Sequence, residues 1–185
     1  VCNRLDRNTS GMVICGKSMA GLQQMAALLK DRSLHKYYLC LVKGVMTESQ
    51  HLEGYLLKDE NSNQVKIFQK ETEGAARIIT EYEPLYTEGE TTLLKVTLVT
   101  GKSHQIRAHL SSIGHPIIGD PKYGERKVNA FFRETHGIKN QMLHAWKLTF
   151  PELAKPLDNL SEKSFEAEPA GLMKQYLMKA KGDLQ

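Results

Sequence analysis

One short run near the start of the chain, residues 3–11 with the sequence N-R-L-D-R-N-T-S-G, restricts the fold most. Its last four residues are small and polar and end in glycine, a composition typical of a tight turn. If the residues before the turn are extended, alternate side chains face the same way, so Arg4 and Asp6 share one face while Leu5 faces the core. The sequence therefore predicts a turn that holds one carboxylate rigidly beside cations.

The chemistry of this run depends on Asp6, which lies between Arg4 and Arg7 in the sequence. A carboxylate held beside cations stays ionised at neutral pH, and an ionised carboxylate can act as a nucleophile. For an isolated R-L-D triplet the better interpretation is a salt-bridged aspartate at the end of a surface strand. The choice between the two depends on the other motifs of the chain.

Length and composition predict one globular domain over residues 1–185, with 41% hydrophobic and 25% charged residues. No run approaches the roughly 18 apolar residues of a membrane span, and the first residues lack a secretory signal, so a soluble protein with no membrane partner is expected. The three cysteines (Cys2, Cys15 and Cys40) are odd in number and widely spaced, which disfavours a disulfide framework or a zinc ribbon. Reduced thiols in a cytoplasm are the expectation.

Basic residues are concentrated in two segments, although the formal net charge is only +4. Residues 1–40 hold six lysines and arginines against two acids, and residues 101–127 hold five against two. Residues 48–90 hold ten acids against four bases, so a polyanion is expected to approach the two basic segments and avoid the middle. From charge alone, six candidates for phosphate contacts, or for ordinary solvated surface, are Lys17, Lys36, Lys102, Lys122, Arg126 and Lys127.

Apolar runs and turn residues predict a series of short strands. They are expected at 12–15, 36–44, 64–69, 76–86, 91–99 and 143–150, the first of them buried. A polar turn is expected at 58–63, and the terminal residues 181–185 are expected to fray. Because successive strands have short connections, antiparallel pairing is favoured, and no repeat or linker divides the chain.

Three helices are also predicted. The first has its N-cap at Ser18 and runs to about Asp31. Its expected core face consists of Met19, Leu22, Met25, Ala26 and Leu29. A short helix capped by Ser103 is expected to end at Gly114, and a third covers 170–180.

A second run that contains several ionisable side chains covers residues 100–124 and begins T-G-K-S-H-Q-I-R-A-H-L. It holds His104, His109, His115 and Asp120, which together resemble a set of metal ligands. The gaps of five and six residues do not give the i, i+4 spacing that places two imidazoles on one helical face, so metal binding is not expected. Arg107, taken alone, would be a solvated helix residue.

Four segments together resemble the RluA-type pseudouridine synthases. The first run resembles H-R-L-D-x-x-T-S-G, with Asn3 for His, and residues 36–44 resemble K-x-Y-L-A-x-V-x-G, with Cys40 for Ala. Residues 101–124 resemble G-R-T-H-Q-I-R-x-H-L followed by G-x-P-I-x-G-D-x-x-Y-G, with Lys102 for Arg and Ser103 for Thr. Residues 143–150 resemble L-H-A-x-x-L-x-F. The family's first strand and Lys-Pro segment are missing before residue 1, so this chain is expected to be a fragment of a longer polypeptide. The fragment is expected to lack that strand and any upstream RNA-binding domain.

The resemblance implies an α+β fold with a mixed, mostly antiparallel central sheet, flanking helices and an active cleft across the sheet. It implies an isomerase that converts uridine in RNA to pseudouridine without cofactor or metal. The implied catalytic residues are Asp6, Tyr38 and Arg107, and the implied substrate-binding residues are Arg4, Leu143, Lys102, His104 and Gln105. Asp6 would be the nucleophile, although attack on the sugar, addition to the base and assisted elimination all remain open. Arg4 would fill the gap left by a flipped base.

The substrate implied by the resemblance is RNA, with large-subunit ribosomal RNA favoured over tRNA, and a monomer in the cytoplasm is expected. One alternative is an RNA-binding protein with an inactive synthase domain. Another is a glycoside or nucleoside hydrolase that uses Asp6, but it requires a second carboxylate for which the motifs offer no candidate.

Overall fold

A mixed β-sheet forms the framework of the protein in the computed structural model, which describes residues 1–59 and 62–182. Eight strands are present in this part of the chain: β1 (Ser10–Gly11), β2 (His35–Lys43), β3 (Gln50–Asp59), β4 (Gln64–Phe68), β5 (Ala76–Glu88), β6 (Thr91–Leu98), β7 (Leu143–Thr149) and β8 (Ser164–Glu166). The α-helices are α1 (Met19–Asp31), α2 (Gln105–Ser112), α3 (Arg126–His136) and α4 (Gly171–Lys181). No helix of these residues is both long and apolar enough to cross a membrane.

The strand order is β1-β7-β2-β6-β5-β3-β4, and β8 pairs with β7. Only the short β1–β7 pair is parallel among the strands described, and the other pairs are antiparallel. This arrangement confirms the predicted α+β class. The predicted strands at 36–44, 64–69, 76–86, 91–99 and 143–150 are confirmed, with boundaries that differ by one or two residues.

Alternation along β2 divides the core between the two faces of the sheet. Tyr38, Cys40 and Val42 pack with α2 on one face, whereas Leu39 and Leu41 pack with α3 and α4 on the other. All five are buried, and burying each large apolar side chain stabilises the fold by roughly 1.5–3 kcal/mol. The catalytic candidates Tyr38 and Arg107 consequently lie on the α2 side of the sheet.

The buried strand predicted at 12–15 is wrong. Only Ser10 and Gly11 pair with the sheet, and Val13 is 47% exposed. The chain leaves the sheet after Gly11, and the following residues bond to the start of the chain: Cys2 N–H donates to the carbonyl of Ile14 (2.7 Å), and Ile14 N–H donates to Asn3 Oδ1 (2.7 Å). Asn3 therefore has a structural partner at the position where the resembling motif has His.

The N-cap predicted at Ser18 is confirmed, because its side chain accepts a hydrogen bond from Gly21 N–H (3.1 Å). The predicted core face is only partly correct: Met19 is 70% exposed, and the buried residues are Gly21, Met25 and Leu28. Gly21 faces Leu157, so the buried side of the helix is rotated towards Gly21 relative to the predicted core face.

Ser103 does not cap α2 as predicted. The N-cap is His104 in a left-handed conformation (φ +56°), and no side chain caps the helix. Three further elements, β3, α3 and the short strand β8, were not predicted from the sequence. The helix predicted at 170–180 is confirmed as α4. The expected turn at 58–63 and the expected fraying at 181–185 fall partly outside the described residues.

Candidate active site

A cleft of about 510 Å³ crosses the α2 side of the sheet. Its walls come from the start of the chain, from β2, from the β6–α2 connection and from the first residue of β7. All eight residues predicted from the sequence line this cleft: Arg4, Asp6, Tyr38, Lys102, His104, Gln105, Arg107 and Leu143. A larger cavity of about 790 Å³ lies between α3, α4 and the β5–β6 turn, and it contains none of them.

Asp6 is held by the turn predicted from the sequence. The carbonyl of Asp6 accepts a hydrogen bond from Thr9 N–H (3.0 Å), and Asn8 adopts the left-handed conformation (φ +68°) that an asparagine tolerates in a turn. The buried Gln141 side chain donates to the carbonyl of Arg7 (2.6 Å), which attaches the turn to the segment before β7. Leu5 packs against the core, as predicted.

The short strand β1 anchors the other end of this turn on β7. Gly11 has φ +109°, and a Cβ atom there would lie 2.2 Å from the carbonyl oxygen of Ala145. Ser10 Oγ is hydrogen-bonded to His144 Nδ1 (2.8 Å), and the other ring nitrogen of His144 is hydrogen-bonded to the carbonyl of Ala167 (2.8 Å). Only glycine allows the backbone to approach β7 this closely, so the sequence T-S-G fixes the position of Asp6.

Arg107 joins Asp6 to a second carboxylate. Its guanidinium donates from Nη1 to Asp6 Oδ2 (3.3 Å), from Nε to Asp120 Oδ2 (2.7 Å) and from Nη2 to Asp120 Oδ1 (3.0 Å). The Arg107 side chain is 5% exposed, whereas that of Asp6 is 23% exposed. Asp120 therefore holds the guanidinium bidentately inside the protein, and the remaining edge faces the more accessible carboxylate.

The charges of this trio are mutually stabilised. Burial alone would raise the pKa of Asp120, but hydrogen bonds from Arg107 and from the backbone N–H groups of Tyr123 and Lys122 lower it. Burial alone would lower the pKa of Arg107, but the hydrogen bonds and charges of Asp120 and Asp6 raise it. Asp120 was not singled out as a functional residue from the sequence, although it is the aspartate of the G-D-x-x-Y-G segment.

Tyr38 contributes a phenol to the same cleft. It is buried among the α2-side core residues, and burial, followed by the negative charge of Asp6, raises its pKa to about 12. The phenol is therefore protonated at physiological pH and offers an aromatic face and an O–H group. Leu143 is buried nearby in the same core cluster, so it adds an apolar wall.

His104 and Gln105 lie at the start of α2 and have different surroundings. His104 Nδ1 is hydrogen-bonded to the hydroxyl of Tyr123 (2.8 Å), and burial, more than any neighbouring charge, lowers the pKa of His104. The Tyr123 ring lies under the Arg107 guanidinium, 5.2 Å from its carbon. Gln105 is buried, and its amide donates to the Ile79 carbonyl and accepts from Lys102 N–H. The Gln105 amide therefore holds the loop between β6 and α2.

The charged side chains that line the cleft are unbalanced. Among the residues that the structure describes, its lining contains six lysines and arginines and a single acid, Asp6. Of the six candidates for phosphate contacts, Lys36 and Lys102 line the cleft, whereas Lys17, Lys122, Arg126 and Lys127 do not. The structure thus separates the candidates that line the cleft from those that do not. The distribution of charge along the sequence could not make this distinction.

The histidines that resembled metal ligands are engaged separately. His109 Nδ1 is hydrogen-bonded to Thr80 Oγ1 (2.9 Å), and His115 Nδ1 to the carbonyl of Lys43 (2.8 Å). Within the described residues, no group of three His, Cys, Asp or Glu side chains is placed to hold a metal ion.

The sequence and the α+β sheet of this chain match a known family. The RNA pseudouridylate synthase family matches residues 1–112, more than half of the chain, and the chain therefore belongs to that family. Among solved structures, human RNA Pseudouridylate Synthase Domain Containing 4 has a TM-score of 0.73 at 20% identity, with 97% of this chain and 74% of that chain covered. Human RNA Pseudouridylate Synthase Domain Containing 1 has a TM-score of 0.67 at 23% identity, covering 97% and 79%. These similarities confirm the predicted fold.

Curated relatives are more similar in sequence. The ribosomal large subunit pseudouridine synthase C of Vibrio cholerae serotype O1 is 34% identical over 167 residues, which is 89% of this chain and 49% of that protein. An uncharacterized RNA pseudouridine synthase of Helicobacter pylori is 34% identical over 165 residues, covering 89% of this chain and 63% of the relative. This chain spans about half the length of the Vibrio relative.

Proposed function

We propose that this protein converts uridine to pseudouridine within RNA. The observation that carries the proposal is the Asp6 carboxylate, partly exposed in the cleft and 3.3 Å from the buried Arg107 guanidinium. Family membership and the names of the curated relatives support the same reaction. An isomerisation requires an anion, a means of holding the base and exclusion of water, and the cleft offers residues for each.

The reaction breaks the bond between uracil N1 and ribose C1′ and forms a bond between C5 and C1′. The proton on C5 is lost and N1 gains one, so no other reactant is consumed. Asp6 acts as the nucleophile in our proposal, and Arg107 orients it through the 3.3 Å hydrogen bond. The neutral phenol of Tyr38 holds the uracil ring by stacking, and Leu143 keeps the pocket dry.

The target uridine must leave its stack to reach Asp6, which requires a few kcal/mol of lost stacking and pairing. Arg4 is exposed at the edge of the cleft and close in sequence to Asp6. We propose that Arg4 occupies the position left by the flipped base, while the cations of the cleft wall contact phosphates.

The substrate we propose is large-subunit ribosomal RNA, because the Vibrio relative is named as a ribosomal large subunit enzyme. We propose a cytoplasmic location, which suits the three free thiols of Cys2, Cys15 and Cys40. The single domain over residues 1–185 and the monomeric state remain predictions, which limited proteolysis and light scattering test.

The decisive experiment incubates the protein with ribosomal RNA and, separately, with tRNA, and then maps pseudouridine at single-nucleotide resolution. New pseudouridine in ribosomal RNA supports the proposal, and modification confined to tRNA changes the substrate. Binding without any pseudouridine would identify an RNA-binding protein with an inactive site. Release of free uracil would identify a hydrolase.

A further inference from the structure

Lys36, at the start of β2, has an unusual position in the cleft wall. Its side chain is half-buried and lines the same cleft as Asp6. A Cβ atom placed on Gly101 would lie 3.5 Å from Lys36 Nζ, so the ammonium group packs against the β6–α2 connection. The charged end of Lys36 is thus held at the cleft rather than extended into bulk solvent.

This ammonium group has no anionic partner in residues 1–59 and 62–182. No hydrogen bond or ion pair involves its Nζ, although Lys43 at the other end of the same strand is paired with Glu125. Burial and then the positive charge of Arg32 lower the pKa of Lys36, and no carboxylate opposes them. A partly desolvated cation without a partner is unfavourable for folding, which suggests that its partner is a ligand.

We propose that Lys36 forms a binding site for one backbone phosphate of the RNA strand that occupies the cleft. The inference rests on the proposed function, since it assumes that RNA enters there. A phosphodiester oxygen can accept a hydrogen bond from a single ammonium group, and charge-assisted hydrogen bonds of this kind are short and strong. Partial removal of water strengthens the contact relative to that of the exposed Arg4 and Lys102.

The test measures binding by fluorescence anisotropy with a labelled oligouridylate of about twelve nucleotides. The proteins are the wild type, Lys36→Met, Lys36→Arg and the matched control Lys30→Met, which removes an exposed lysine outside the cleft. Titrations run from about 50 to 300 mM KCl, because the slope of log K against log salt counts the phosphates that are neutralised. Thermal melting of each variant reports whether it folds, and Lys36→Gln replaces any Met variant that does not.

For Lys36→Met we expect about tenfold weaker binding and a salt slope reduced by about 0.7, the value of one phosphate on a single strand. Lys36→Arg and Lys30→Met keep the wild-type slope. The melting temperature of Lys36→Met stays at or above that of the wild type, because none of the described residues pairs with the Lys36 ammonium group.

An unchanged slope in folded Lys36→Met would overturn the inference. Displacement of the oligonucleotide by millimolar inorganic phosphate, beyond the effect of chloride at equal ionic strength, would also overturn it by assigning the site to free phosphate. This experiment measures RNA binding and not turnover. Absence of isomerase activity would therefore contradict the proposed function without deciding whether Lys36 binds a phosphate.

Discussion

At the residue scale, the site depends on how one guanidinium is shared between two carboxylates. Asp120 is fully buried and receives the two shorter hydrogen bonds from Arg107, at 2.7 and 3.0 Å, whereas Asp6 receives the longer one at 3.3 Å. Hydrogen bonds to charged groups contribute about 1.5–3 kcal/mol each, so Asp120 fixes the arginine. Asp6 is held less tightly and is more exposed, as our proposal that it attacks the substrate requires.

Replacement of the proposed nucleophile tests this division directly. Asp6→Asn keeps the shape of the side chain and removes its charge, so we expect turnover to fall by at least about 10³-fold. Affinity for RNA should stay within a few fold, because Asp6 contributes repulsion to the phosphates rather than attraction. Release of tritium from RNA labelled at uracil C5 measures the reaction. Residual activity near the wild-type value in a purified Asp6→Asn protein would remove Asp6 from the mechanism.

Asp120→Asn tests the residue that positions the guanidinium. We expect a lower single-turnover rate, by about 10- to 100-fold, with unchanged RNA affinity, because Arg107 can rotate away from Asp6. The buried arginine also loses its main partner, so the free energy of unfolding should fall by about 3–5 kcal/mol. Rates are compared at a temperature at which denaturation curves show both proteins to be folded. A variant that is less stable but fully active would make Asp120 a purely structural residue.

At the scale of secondary-structure elements, the turn that holds Asp6 is positioned by two residues of parallel pairing between β1 and β7. Ser10 pairs with His144 and Gly11 with Ala145, and no longer strand supports this end of the motif. Such a short pairing is stable only because side chains reinforce it, through Ser10–His144 and through Gln141 on the turn. The geometry of Asp6 is therefore set largely by β7, more than 130 residues away along the chain.

Gly11→Ala should disrupt this anchor. The new Cβ would lie 2.2 Å from the Ala145 carbonyl, in a backbone conformation (φ +109°) that side chains rarely adopt. We expect a loss of at least about 2 kcal/mol in the free energy of unfolding, with activity reduced more than RNA affinity. The matched control is Gly137→Ala, whose glycine also has positive φ (+69°) but has open space around its Cβ position. Equal losses in urea denaturation of the two variants would show that close approach to β7 is unimportant.

The sequence was informative about the elements whose causes are local. The N-cap of Ser18 and the turn after Asp6 depend on neighbouring residues, and both were predicted. Strand β3 was missed because Gly54 interrupts it and only Gly54 and Leu56 are buried along it. Helix α3 was missed for a similar reason, since Phe132 is its one buried residue.

The Asp120–Arg107 pair could not be derived from spacing. The two residues are 13 positions apart and meet only after the loop that follows α2 folds back on the helix. The same limit applies to Lys36, because only the positions of the surrounding side chains show that no carboxylate of residues 1–59 and 62–182 pairs with it. The motifs thus predicted residues that line one cleft, whereas the contacts between these residues required the tertiary structure.

At the scale of the whole molecule, the segments that differ in charge along the sequence occupy different surfaces. The basic segments meet at the cleft, where Asp6 is the only acid among the described lining residues. The acidic middle segment supplies Glu53 and Glu81, which pair with His51 on the exposed face of β3 and β5. An RNA strand is therefore attracted to one side of the sheet and repelled from the other.

A buried hydrogen-bond network behind the cleft couples the stability of the molecule to pH. The Gln105 amide donates to Thr80 Oγ1 (3.0 Å), and Thr80 Oγ1 is hydrogen-bonded to His109 Nδ1 (2.9 Å). With His109 neutral, the Thr80 hydroxyl donates to Nδ1 and accepts from Gln105, so both bonds are satisfied. Burial lowers the pKa of His109 to about 4, and a hydrogen bond with the Glu53 backbone opposes it only partly.

The sign of the effect follows from the lower pKa in the folded state. Between the reference value of 6.5 and about 4, the unfolded chain binds a proton at His109 that the folded protein excludes. This contribution to stability is complete above pH 6.5 and is lost as the pH falls to about 4. At about 1.4 kcal/mol per pKa unit, the loss is about 3 kcal/mol. Because α2 carries both His109 and Arg107, acid is expected to loosen the helix that holds the arginine.

Urea denaturation at a series of pH values, followed by circular dichroism, measures this prediction. His109→Gln should have a smaller fall in the free energy of unfolding over that pH window than the wild type, whatever its absolute stability. His104, whose pKa is also lowered, contributes to both proteins and cancels in the difference between their slopes. The control His35→Gln removes an exposed histidine of β2 and should keep the wild-type pH dependence. If His109→Gln and the wild type lose stability in parallel, the acid sensitivity of the protein arises elsewhere than behind the cleft.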